Sequence, residues 1–156
     1  MIRPATEADM ESIVRLWLES SVQAHDFVSR TWWEDRVSDM RELYLPLSDV
    51  LIVAIDDASG KLVGFVALIE NVLAALFVLP EWQGRGIGTR LLELVRKLRT
   101  ELCLTVYARN KRAVDFYLKH GFVRTGRRIE AATGQTEWVM SLSSGALLPD
   151  DRMDGF

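Results

Sequence analysis

Along the chain, apolar residues recur with two periods, near 3.6 and near 2, and the switches between them mark out the elements. Ile2-Arg3 reads as a short strand, and Thr6 with Asp9 three residues on forms a near capping box. Met10, Ile13, Val14, Trp17 and Ser21 then share one face, which predicts a helix over roughly residues 8–20. Val22 to Ser29, carrying His25-Asp26-Phe27, breaks the pattern. From Thr31 to Leu45 the helical period returns with Trp33, Val37, Met40 and Tyr44 on one face, and Pro46 is expected to end it. Val50 to Ile55 and Leu62 to Ile69 read as an antiparallel hairpin around the turn residues Asp56 to Lys61, and Leu73 to Val78 as the next strand.

The second half alternates strand and helix. Pro80 to Gly86 is loop, followed by a helix with Ile87, Leu91, Leu92, Val95 and Leu98 inward. Leu102 to Tyr107 is a strand, Arg109 to His120 a helix stopped by Gly121, and Phe122 to Thr125 a short strand. Residues 126–136 read as turn, and Glu137 to Leu142 as a last strand. Hairpins followed by strand–helix–strand–helix–strand imply one α+β domain with a mixed sheet over residues 1–142. Residues 143–156 lack periodicity and are expected to be a mobile tail.

The run from Leu62 to Leu79 has nearly the length of a membrane span, but Glu70 and Asn71 sit at its middle. Two strands joined there fit better, and with no signal core at the start the expected location is the cytoplasm. The lone Cys103 excludes an internal disulfide framework, and with only His25 and His120 no metal site is expected.

The net charge of −3 conceals an uneven distribution. Residues 81–130 hold 12 Lys or Arg against 5 Asp or Glu, a balance of +7, while the rest holds 7 against 17, a balance of −10. The basic block suits a phosphate-bearing ligand and the acidic remainder a cation. The same asymmetry also fits a solvated surface with no partner. A nucleic-acid partner is disfavoured, because the block lacks interleaved aromatics.

Chemistry concentrates between Leu73 and Asn110. An apolar strand including Leu76-Phe77-Val78 leads through Pro80-Glu81-Trp82 into Gln83-Gly84-Arg85-Gly86-Ile87-Gly88-Thr89 and an amphipathic helix. Glycines at alternate positions let the backbone turn tightly and approach a ligand, and a helix start can hold a pyrophosphate. The spacing fits neither the dinucleotide fingerprint G-x-G-x-x-G nor a P-loop. A plain glycine turn between strand and helix fits the glycines equally well.

Gln83-x-x-Gly86-x-Gly88 resembles the Q/R-x-x-G-x-G/A loop of the GCN5-related N-acetyltransferases (GNAT). A second stretch, Asn110 with Ala113-Val114-Asp115-Phe116-Tyr117-Leu118-Lys119-His120-Gly121-Phe122, is similar to the family's N-x-x-A-x-x-F-Y-x-x-x-G-F pattern. The resemblance implies a three-layer α/β/α-like fold. Its mixed, mostly antiparallel sheet would have six to seven strands, splayed between strands 4 and 5 and flanked by about four helices. It implies an acetyl-CoA-dependent acetyltransferase that moves the acetyl group directly to an amine. Backbone N–H groups from Gln83 to Thr89 would grip the pyrophosphate, and the main chain of Leu76, Phe77 and Val78 would pair with pantetheine. Asn110, Ala113 and Phe116 would line its other side, and Tyr117 would protonate the leaving thiolate. Tyrosine suits that role because it stays protonated at neutral pH. Core packing is the alternative for Tyr117.

The general base has two candidates. Glu70 lies where one strand ends and the next begins, although a charged turn residue reads the same way. His25 has a suitable intrinsic pKa but also fits a solvated loop histidine. His120 reads as a helix C-terminal charge, and Cys103, between Leu102 and Leu104, as core. For the acceptor, residues 1–57 carry 12 acidic against 5 basic residues, which favours a cationic amine. Trp17 to Ser20, His25-x-Phe27 and Tyr44-Leu45 resemble a bacterial branch of the family that includes protein-lysine acetyltransferases. A protein lysine or peptide amine therefore ranks first, ahead of a polyamine or aminoglycoside and of a silent acetyl-CoA-binding module. Trp32 and Trp33 could wall an acceptor cleft or pack as core and rim. Exposed strand edges allow a monomer or a homodimer.

Overall fold

The entry into the first helix is organised by one ion pair. Arg3 grips Asp9 with both terminal guanidinium nitrogens, at 2.7 and 3.0 Å, while the Thr6 N–H donates to the same carboxylate at 2.7 Å. A 3₁₀ turn, Glu7–Asp9, passes into α1 (Met10–Ala24). The helix runs past residue 20 because Ser20 and Ser21 join Ile13, Val14, Leu16 and Trp17 on its buried face. In the computed structural model, residues 1–143 are described, and the chain divides after Val95 into two compact units.

In the first unit the helix expected over residues 31–45 is broken. It resolves into α2 (Arg30–Glu34), capped by the Ser29 hydroxyl accepting from Trp32 N–H, then α3 (Val37–Asp39), a π-helical stretch (Met40–Tyr44) and α4 (Leu45–Leu47). The Leu45 N–H reaches back five residues to Met40 O, which rotates the following side chains by one position. Met40 and Leu45 are therefore buried, whereas Tyr44, expected on the inner face, is 49% exposed. Pro46 does not end the segment. It follows the π-turn directly, inside a helical run continuous from Met40, and the run ends one residue later at Leu47, with Ser48 as its C-cap.

The strands β1 (Ile2–Pro4), β2 (Val50–Ile55), β3 (Leu62–Ile69) and β4 (Val72–Val78) pair antiparallel in that order. β3 is buried along nearly its whole length. The long apolar run from Leu62 is thus two strands turning at Glu70-Asn71, and among the described residues no helix is long and apolar enough to cross a membrane. Ala67 faces Ala75 and Leu68 faces Leu73, which leaves Ala74 as a β-bulge in β4. In α5 (Ile87–Arg96), Leu91, Leu92 and Val95 are fully buried. Leu98, expected inward, lies beyond the helix end and is 50% exposed.

The second unit contains β5 (Glu101–Tyr107), α6 (Lys111–Lys119), β6 (Val123–Ile129) and β7 (Thr136–Ser143), with β7 paired antiparallel to both other strands. β6 continues to Ile129 instead of stopping at Thr125. A bulge at Thr125 restores the register, so that Arg127 faces Trp138 and Arg128 faces Glu137. Cross-strand contacts hold that extension: Arg128 pairs with buried Glu137 at 3.0 Å, and Arg124 stacks over Trp138 at 4.8 Å. Ser143, placed in the tail by its sequence, belongs to β7 and pairs with Glu101 of β5, and the rest of the expected tail lies outside the described residues. Four strands in one unit and three in the other, with helices between them, realise the expected α+β arrangement.

Candidate active site

β4 delivers the chain into a turn that only glycine adopts without strain. After the 3₁₀ turn Pro80–Trp82, Gly84 takes φ +79° and Gly86 φ +84°. A Cβ at either position would meet nothing within 4 Å, so these glycines serve the backbone path and leave open space above it. Gln83 fastens the loop, its Nε2 donating to Val78 O at 3.0 Å. Arg85 lies over the Trp82 ring at 4.4 Å, which keeps a positive charge beside the turn. Arg90 N–H bonds Gly86 O at 3.0 Å and so begins the helical ladder. The N–H groups ahead of it, from Gly86 to Gly88, face out of the helix end with the positive end of its dipole. Together the open backbone, the helix start and the nearby arginine fit a pyrophosphate.

Leu76, Phe77 and Val78 are half-buried at the end of β4, just before this loop. Beside them, on β3 opposite Val78, lies a residue that periodicity does not single out. A Cβ on Gly64 would come within 3.1 Å of Phe77 O and 3.4 Å of the Ile87 and Val78 side chains. The bare backbone at Gly64 lets the start of α5 settle on β3. An isolated glycine inside a strand was the available signal.

The second unit carries the other motif. Asn110 caps α6, its side-chain oxygen accepting from Ala113 N–H at 3.3 Å. Ala113 and Phe116 are half-buried, while Tyr117 is buried, with Phe116 and Phe122 edge-on at 5.3 Å each. Burial alone pushes the Tyr117 phenol well above its usual value. It therefore remains a proton donor throughout the neutral range. Tyr107 donates to Glu130, which also accepts from Thr133 at 2.7 Å, a network that the sequence did not suggest.

The two candidate bases differ sharply in setting. Glu70 is exposed in the β3–β4 turn with φ +55°, the one described non-glycine residue in the left-handed region. Its N–H donates to the Asp49 carboxylate, which pins that conformation. His25 is not a solvated loop residue. It caps the end of α1, is 6% exposed, stacks on Trp33 at 5.0 Å and meets Phe27 edge-on at 5.6 Å. Trp33 also touches Trp17 and Trp32, so this aromatic cluster is largely interior packing. Arg36 stacks over Trp32 at 3.7 Å.

His120 caps the C-terminal end of α6, as expected, with Nδ1 2.8 Å from Phe116 O. Cys103 is half-buried and not core, because β5 sends Leu102, Leu104 and Val106 to the opposite face.

Residues 48–124 match the family described as "Acetyltransferase (GNAT) domain". The chain is 36% identical over 142 residues to the peptidyl-lysine N-acetyltransferase YiaC of Escherichia coli (strain K12), an alignment covering 90% of this chain and 95% of YiaC. The solution structure of apo-form YjaB from Escherichia coli matches with TM-score 0.77 and 30% identity, over 90% of this chain and 95% of YjaB. The crystal structure of the PaiA N-acetyltransferase from Thermoplasma acidophilum in complex with coenzyme A shares the fold, with TM-score 0.73 at 22% identity, over 92% and 98%.

Proposed function

The chain belongs to the GNAT acetyltransferase family, and from that membership we propose that it transfers acetyl groups from acetyl-CoA to lysine amines of proteins or peptides. The loop at Gly84 and Gly86 carries the cofactor half of this reading: two left-handed glycines, tethered by Gln83 to β4, open a helix start onto free space. The acceptor half is supported by the likeness to a relative named for peptidyl-lysine transfer and by the acidic balance of residues 1–57.

Bound acetyl-CoA supplies the acetyl group as an activated thioester. The residues of this chain have three tasks. The N–H groups from Gln83 to Thr89 hold phosphate charge, and the main chain of Leu76 to Val78 offers strand-like hydrogen bonds to the pantetheine arm. Asn110, Ala113 and Phe116, which match the family's second motif, are the residues of α6 and its cap proposed to contact pantetheine. Tyr117 gives its proton to the departing sulfur, a role its raised pKa allows at every physiological pH. Glu70, exposed and carried on a strained turn, takes the proton that the amine must lose, directly or through water. Buried His25 is less suited to that task, because its ring is enclosed by Trp33 and Phe27.

The test is release of CoA thiol with a panel of lysine peptides, spermidine and aminoglycosides. Turnover of lysine peptides is expected. Turnover of small amines alone would replace the acceptor class, and acetyl-CoA binding without any turnover would replace the enzyme with a silent module.

A further inference from the structure

Away from the glycine loop, the first unit turns three large apolar side chains to solvent on one short helical run. Leu43 is 46% exposed, Tyr44 49% and Leu47 53%. The π-helical stretch puts them there, burying Met40 and Leu45 and sending the residues between and beyond them outward. Glu42, beside them, is an exposed carboxylate. The one basic residue of the run, Arg41, is held by Glu11 through two contacts of 2.6 and 3.1 Å. What remains is apolar surface edged with negative charge. It is also continuous with the turn that holds the candidate base: α4 ends at Ser48, and the next residue, Asp49, accepts the Glu70 N–H.

We propose that Leu43, Tyr44 and Leu47 dock an acceptor segment bearing an apolar side chain close to its lysine, with the lysine itself facing Asp49 and Glu70. This rests on the lysine-transfer reading above and names the kind of acceptor it favours. Charge selects the occupant. A lysine-bearing segment meets carboxylates, whereas a second copy of this chain would set the same acidic rim against itself. Leu47 and the Glu70 turn are joined through Ser48, Asp49 and one hydrogen bond, a path of at most about 15 Å, which an extended segment covers in about four residues. The apolar side chain should therefore stand within about four residues of the lysine.

The experiment uses lysine peptides in which one leucine is walked from about two to four residues on either side of the lysine, beside an all-serine parent. For the native chain, KM for the best leucine peptide should be about tenfold below that of the parent, with similar kcat. In the double variant Leu43→Ser, Leu47→Ser that advantage should vanish, while KM for acetyl-CoA and for the parent peptide stays unchanged. These exposed positions leave the core intact, and the unchanged acetyl-CoA KM reports a folded enzyme. Equal KM for all peptides in the native chain, or an advantage that survives in the variant, overturns the proposal alone. It is equally overturned if sedimentation shows the variant converting a dimer to a monomer with no change toward peptides, since the patch is then a self-interface. Failure to acetylate any lysine peptide would instead overturn the lysine-transfer reading, and this proposal with it.

Discussion

Gln83 donates through its side-chain amide to the carbonyl of Val78 at 3.0 Å, so the first residue of the glycine loop is fastened to the last residue of β4. A neutral hydrogen bond of this kind contributes about 1 kcal/mol. Gln83→Leu is therefore expected to raise KM for acetyl-CoA about fivefold and to leave kcat nearly unchanged. Calorimetric titration with CoA checks this, and unaltered affinity would separate the loop from the cofactor.

Gly86→Ala tests the backbone itself. No neighbour would obstruct the new methyl, so its effect comes from φ +84°, which costs an alanine about 1–2 kcal/mol. The loop should relax away from the left-handed turn and acetyl-CoA affinity should fall at least tenfold, with a loss of Tm of a few degrees or less. An affinity equal to that of the native chain would show that the turn is not needed for binding.

For Tyr117, Tyr117→Phe should lower kcat by about 100-fold or more while acetyl-CoA binding persists. Because burial raises the phenol above its ordinary value near 10, the native enzyme keeps this acid protonated as pH climbs. Its kcat should accordingly show no loss from Tyr117 below about pH 10. A Phe variant with native kcat would reduce the residue to core packing.

Glu70 offers a separation of stability from activity. Its φ of +55° is unfavourable for a side chain and harmless for glycine. Glu70→Gly is expected to stabilise the fold by about 0.5–1 kcal/mol while lowering kcat. Thermal melts beside kcat measurements decide the point: a stabler variant with unchanged kcat would leave Glu70 as a turn residue only.

Acid sensitivity should arise at the start of α1. The Arg3 guanidinium, helped by the Thr6 N–H and hydroxyl, holds the Asp9 carboxyl down to about 2. The unfolded chain has it near 3.9 and so binds more protons as pH falls. The stabilisation is complete above about pH 5, declines through pH 4 to 2, and is gone below the folded-state value. Screening at this surface position limits it to about 1 kcal/mol. Asp9→Asn should cost that much at pH 7 and only a small fraction of it at pH 2 in denaturant titrations.

The parts of the site that depend on neighbours in sequence were legible before any coordinates. The glycines of the loop and the Gly121 stop act through local backbone geometry, which residue type specifies directly; that Asn110 caps α6, with the helix opening at Lys111 and not at Arg109, came from the structure. The hairpin at Glu70-Asn71 was readable for a similar reason, since a polar pair interrupts two apolar runs. The break of the α2–α4 segment was not, because apolar spacing alone does not distinguish an α-turn from a π-turn. The burial of His25 was equally hidden. It depends on Trp33 arriving from a different helix to stack on the ring.

By itself the sequence determined the order of strands and helices, the glycine turn ahead of α5 and the helix that carries Tyr117, because each is written in short-range spacing. Tertiary structure decided which faces those elements present. It enclosed His25 with Trp33, required a bare Gly64 at the start of α5, and turned Leu43, Tyr44 and Leu47 outward. The physical reason is that burial and close approach are properties of pairs of elements. A residue far away in the chain supplies half of every such contact, and no local period records which residue that will be.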